Sequence, residues 1–156
     1  MKEILIQIAK LSIWVVLVAA VVTLVDSKWL SPGRILPCDP NHLESGHICL
    51  STVKAQWQNR IVWVDARIQD AFERGTIKGN VVPLRNDSLA QDLLAKAMPV
   101  LHQAGFEQKC IIVFCDRNCH SSTEIANKLR SFQLKAPIYV LEGGWDEIRK
   151  DPTLAP

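Results

Sequence analysis

The residues best suited to chemistry in this chain are two cysteines, Cys115 and Cys119, within the stretch CIIVFCDRNCHSSTEIANKL at 110–129. Residues 110–114 are β-branched, aromatic and sulfur-bearing, the signature of a buried strand, and Cys115 closes that run. A short polar loop then leads to a helical pattern starting near Ser121. A thiolate at such a seam gains from the loop N–H groups and from the positive end of the helix dipole, which lowers its pKa and makes it a nucleophile. Arg117 adds positive charge and Asp116 offsets part of it. The competing expectation is an inert thiol ending a strand, because free cysteine is among the most buried residue types. Cys119 has two readings as well: an incidental loop residue, or a second thiol able to attack sulfur carried on Cys115. Cys115, Cys119 and His120 lack a fourth ligand and the usual spacing of a zinc site, so no metal is expected.

The elements that must position this loop follow from the rest of the pattern. ICL near 48–50 reads as a short strand, and STVKAQWQNR as a helix with Ser51 at its N-cap. IVWVDAR is a continuous apolar run ending in charge, as expected of a strand buried on both faces of a parallel sheet. IQDAFERG reads as a short helix closed by Gly75, NVVPL as a strand, and SLAQDLLAKAMPVLHQAG as a helix ending at Gly105. SSTEIANKLRSFQL is a further helix, PIYVL a strand, and GGWDEIRK a glycine turn into a closing helix. Strands alternate with helices throughout, which predicts an α/β domain with a mostly parallel sheet flanked by helices.

Composition bounds the partners. The chain of 156 residues carries a net charge of +2, with cations interspersed among acids, so no nucleic-acid partner is expected. Residues 4–25 are apolar apart from Gln7, Lys10, Ser12 and Thr23, long enough to span a bilayer and without a small-residue cleavage site. The predicted organisation is a membrane anchor at 1–26, a linker at 27–47, one domain at 48–150 and a tail at 151–156, with the domain outside the cytoplasm (periplasmic). Cys38 and Cys49 flank much of the Pro- and Gly-rich linker; they either close a loop as a disulfide or are unrelated thiols.

In order, VWVDAR, FERGTIKGNVVPL, IIVFC with its polar loop and SSTEIANKL, and YVLEGGWDEI resemble a rhodanese domain, the sulfurtransferase family, over roughly residues 48–150. The resemblance aligns Asp65 and Arg67 with the family's D-x-R segment, Gly75 and Gly79 with its G-H-I-P-G turn, Cys115 with its catalytic cysteine, and Gly143, Gly144 and Trp145 with its closing glycine–tryptophan region. Thr76 and Lys78 depart from the family's histidine and proline, and Trp145 follows the glycines directly. The loop after Cys115 is one residue longer than in standard single-domain members and lacks their glycine. Related cell-cycle phosphatases use a longer loop to hold phosphate, but end it in arginine where this chain has His120, Ser121 and Ser122, so a bidentate phosphate clamp is missing.

The resemblance implies sulfane-sulfur transfer. Cys115 takes sulfur from a small donor, thiosulfate or a persulfide, holds it as a persulfide and passes it to a thiol acceptor, with no cofactor. Asp116, Arg117, Asn118, Cys119, His120 and Ser121 form the substrate-binding loop, and Asp65 and Arg67 support it, organising the strand end rather than moving protons. Gly143 and Gly144 are expected to supply positive φ and close approach, and Trp145 a core anchor. A dithiol redox module using Cys115 and Cys119, and a non-catalytic binding domain, are the alternatives.

Overall fold

The computed structural model describes residues 38–85, 90–117 and 119–155. The expected anchor and residues 27–37 of the expected linker lie outside the described residues, among which no helix is long and apolar enough to cross a membrane. The described chain runs β1 (His47–Ile48), α1 (Leu50–Trp57), β2 (Ile61–Asp65), α2 (Gln69–Glu73), β3 (Val81–Pro83), α3 (Ala90–Phe106), β4 (Cys110–Phe114), α4 (Ser121–Ser131), β5 (Ile138–Leu141) and α5 (Gly144–Arg149). All strand pairings among them are parallel, in the order β1-β5-β4-β2-β3. The alternation of short apolar runs and helical patterns is thus the alternation of the fold.

Helices cover both faces of the sheet, and strand parity sorts the side chains between them. On β4, Ile111 and Val113 enter one core cluster with Leu101 and Ala104 of α3 and Ile125, Ala126 and Leu129 of α4. Cys110, Ile112 and Phe114 enter the other, with Val53 of α1 and Ile148 of α5. Such a strand can carry no polar side chain, which is why its sequence is an unbroken apolar run.

The start of α1 and the end of α3 are among the boundaries that differ from the sequence expectation. Cys49, not Ser51, occupies the position before α1, in extended conformation and without a side-chain cap. Its place there is set by the chain leaving β1 and by a disulfide to Cys38, so Ser51 already lies inside the first turn. Gly105 lies within α3, and the left-handed residue that turns the chain out of the helix is Gln108, with φ of 54°. Gly105 answers a packing need instead: a methyl group there would press on Lys135 and the backbone of Ala136.

The C-terminal segment is tied back to α1. Lys54 Nζ donates to Asp151 Oδ2 at 2.6 Å, and Thr153 N–H and hydroxyl both donate to Asp151 Oδ1. The Lys54 hydrogen bond, then those of Thr153, bring the Asp151 carboxyl from its ordinary 3.8 down to about 2. A carboxyl whose folded pKa is depressed stabilises the fold above its unfolded pKa, and that contribution is lost as pH falls through the folded one. We expect urea-unfolding stability to decline between pH 3.8 and about 2 partly through this group. Lys54→Ala should lower stability at pH 7 by about 0.5–1 kcal/mol, as for a partly exposed ion pair, and flatten the acid limb; an unchanged limb would exclude the pair as a contributor.

Candidate active site

The sheet order reverses between β2 and β4: the connection from β2 leads outward to β3, whereas that from β4 leads the other way to β5. Such a switch point leaves a crevice beyond the strand ends, and Asp65 and Phe114 are register partners at those ends. Ala66 N–H donates to Phe114 O at 2.8 Å, so the loop after β2 is clipped to the residue just before Cys115.

Cys115 continues the parity of β4. It follows Ile111 and Val113 into the α3 and α4 face, where it is 3% exposed. Its sulfur is bonded to that of Cys119, across a Cα–Cα distance of 5.9 Å. Ala66 O lies 3.7 Å from Cys115 Sγ; in the disulfide this is a contact, and a free thiol would have a proton to donate there. Cys119 N–H donates to Asp116 O at 3.2 Å, closing the loop into a turn, and Ser122 Oγ reaches Cys119 O at 3.5 Å. Asp116, Arg117 and His120 are exposed, Ser121 is half-buried at the start of α4, and Asn118 lies outside the described residues.

The backbone of Cys115 is held from the other side. Trp145 N–H donates to Cys115 O at 2.8 Å. Gly144 has φ of 53°, and a methyl group there would overlap the same carbonyl oxygen. With Gly143 at 73°, the two glycines give the backbone a left-handed turn that a side chain would strain. The Trp145 ring stacks on Phe114, with centroids 6.0 Å apart, and the Arg67 guanidinium lies 3.8 Å from the Trp145 centroid.

Asp65 and Arg67 form a buried pair, 1% and 3% exposed. Arg67 Nε donates to Asp65 Oδ1 at 2.9 Å and its terminal nitrogen to Oδ2 at 2.7 Å, a two-pronged contact; the same nitrogen also donates to Gly75 O at 2.7 Å. Arg67 N–H and the Thr76 hydroxyl complete the carboxylate's partners. Every lone pair facing the interior is met, which is the condition for burying such a pair. Thr76 thereby has a definite partner that its departure from the family pattern did not reveal.

Outside this pair opens a cleft of about 540 Å³, lined among others by Arg67, Arg74, Asp116, Trp145 and Arg149. Sequence reasoning missed Arg74 and Arg149. They are 75 positions apart, one after α2 and one on α5, and no local pattern links them. Cys110, the free cysteine among the described residues, is fully buried, and desolvation pushes its thiol up to about 12, so it is unsuited to react.

Residues 51–151 match the family model of the rhodanese-like domain. No curated protein matches the chain.

The geometry makes two predictions. Asp65→Ala should cost about 3–5 kcal/mol in urea unfolding, because it leaves the Arg67 charge buried without its carboxylate; a loss below about 1 kcal/mol, the scale of a surface pair, would contradict that burial. Gly144→Ala should lower the melting temperature and displace the Trp145 contact with Cys115, seen as a change in Trp fluorescence. An unshifted melting temperature would show that the close approach is relieved elsewhere.

Proposed function

The chain belongs to the rhodanese-like domain family, and from that premise we propose that it is a membrane-anchored sulfurtransferase that moves sulfane sulfur through a persulfide on Cys115. The observation that carries the reading is the place of Cys115: at the end of a central strand, at the switch point of the sheet, in the loop entering α4. A nucleophile there meets a ligand in the crevice and is served by the N-terminus of an eleven-residue helix.

The reaction follows from thiol chemistry. The reduced Cys115 thiolate attacks the outer sulfur of thiosulfate; the new S–S bond forms as the S–S bond of the donor breaks, and sulfite leaves with its electron pair. An acceptor thiolate then attacks the outer sulfur of the persulfide, leaving as a new persulfide and restoring the Cys115 thiolate. The covalent intermediate is the persulfide itself, so the reaction as written calls on no cofactor. The loop from Asp116 to Ser121 would receive the transferred sulfur, while Asp65 and Arg67 hold the strand end that carries Cys115.

The apolar run at 4–25 supports attachment to a membrane, and the two disulfides support a domain on the oxidising, extracytoplasmic side, where such bonds persist. The bond between Cys115 and Cys119 also favours a second reading, a redox module that cycles between dithiol and disulfide without carrying sulfur.

Mass spectrometry separates the two. The fully reduced protein incubated with thiosulfate should gain one sulfur atom on Cys115, and Cys115→Ser should abolish both that gain and transfer to a thiol. Cys119→Ser should keep the first step and lengthen the life of the persulfide. Sulfur transfer by Cys115→Ser would overturn the mechanism, and absence of any sulfur on Cys115 alongside reversible dithiol cycling would favour the redox module.

A further inference from the structure

The disulfide between Cys115 and Cys119 is asymmetric, and that asymmetry says where it opens. Thiol–disulfide exchange is an in-line displacement: the attacking thiolate approaches along the S–S axis from the side away from the sulfur that leaves, and access decides which sulfur is attacked. Attack on Cys115 would therefore come from Cys115's own side of the bond. That side is core. Cys115 is 3% exposed, shares a cluster with Val64, Ala66, Ile125 and Ala126, and has Ala66 O against its sulfur. Cys119 instead is only half-buried and lies in a loop whose described neighbours Asp116, Arg117 and His120 are exposed.

We propose that external thiols reduce this protein at Cys119, so that Cys119 is the entry point for electrons and Cys115 is the sulfur released in the first displacement. In the first step a thiolate of a reducing dithiol attacks Cys119 Sγ; the bond to Cys119 forms, the Cys115–Cys119 bond breaks, and Cys115 departs with the electron pair as a thiolate. In the second, the other thiol of the reductant, deprotonated, attacks its own sulfur in the mixed disulfide. It leaves as a cyclic disulfide, and Cys119 is released as a thiolate. Two electrons pass from the dithiol to the protein. A monothiol halts after the first step, with Cys119 capped and Cys115 free.

This assignment rests on the disulfide and its burial and not on sulfur transfer, but it fixes an order for that reaction. Cys115 becomes nucleophilic while Cys119 is still masked, so sulfur loaded on Cys115 at that moment is protected from attack by its neighbour. Cys119 thus acts as a redox gate rather than as a second nucleophile of equal standing.

The sequence itself provides the assay. Trypsin cuts after Lys109, Arg117 and Lys128, which puts Cys115 in the peptide 110–117 and Cys119 in the peptide 118–128. The full-length protein, oxidised with diamide, is given a short pulse of glutathione, blocked with N-ethylmaleimide at several early times, and mapped. Glutathione should appear on Cys119 and maleimide on Cys115, in at least about ten-fold excess over the reverse pattern at the earliest time. Fragment ions distinguish Cys115 from Cys110, which should stay unlabelled until denaturation. Glutathione mainly on Cys115, an even split, or a disulfide that glutathione does not open at all would each overturn the proposal. Thiosulfate loading of fully reduced protein, measured in parallel, reports on sulfur transfer separately, so either result can fail while the other stands.

Discussion

The constraint on which the rest depends is the burial of β4 on both faces. A central parallel strand covered by α3 and α4 on one side and by α1 and α5 on the other has a single freedom left, the alternation of its side chains. That alternation continues one residue past the last strand position. It sends Phe114 beneath Trp145 and sends Cys115 to the opposite face, among the residues of α4. The burial of Cys115 follows from its register with Ile111 and Val113. Cys119, half-buried in the loop that follows, reaches it through the disulfide.

Holding a buried thiol at the mouth of a crevice requires its backbone to be fixed from outside the core. The closing glycine pair does this by letting α5 begin against the Cys115 carbonyl, with the Trp145 N–H as donor. The Trp145 ring then stacks against Phe114, and the Arg67 guanidinium lies within reach of both rings. Arg67 is in turn oriented by Asp65, and Asp65 by Thr76 and the backbone. This chain of contacts links the ends of β2 and β4 to the last helix. The charged pair is therefore more than a local ion pair: Arg67, held by Asp65, lines the cleft on the Trp145 side of the sheet, opposite the face that receives the Cys115 sulfur.

Much of this was legible in the sequence for a physical reason. Apolar runs of strand length and helical periodicities are local properties, so IVWVD, CIIVF and IYVL declared themselves as buried strands, and the D-x-R pair sat where a strand end must turn. What was hidden depends on contacts between distant segments. The Cys115–Cys119 bond needs the loop's turn through Cys119 N–H and Asp116 O, and four-residue spacing alone is equally compatible with two free thiols. Arg74 and Arg149 share a cleft only after α2 and α5 have been placed on the sheet. Ser51 carried the usual mark of a helix cap, yet a disulfide and a short strand moved the start of α1 to its N-terminal side.

The two disulfides share one design and differ in what they release. In each, one partner is held at the entry to a helix by a preceding strand: Cys49 between β1 and α1, Cys115 between β4 and α4. The other partner of each pair lies nearer solvent. On the chain-entropy estimate, ring sizes set by separations of 11 and 4 residues stabilise the fold by about 2.8 and 1.9 kcal/mol, a difference too small to make one bond structural and the other labile. The distinction lies in the surroundings. Opening Cys38–Cys49 frees the segment leading into β1 and leaves a thiol that is 0% exposed. Opening Cys115–Cys119 frees a short loop at the helix N-terminus, with the strand that carries Cys115 still locked in the sheet. Opening the second bond would therefore leave the backbone of Cys115 in place, because the Trp145 N–H that holds its carbonyl does not pass through its sulfur.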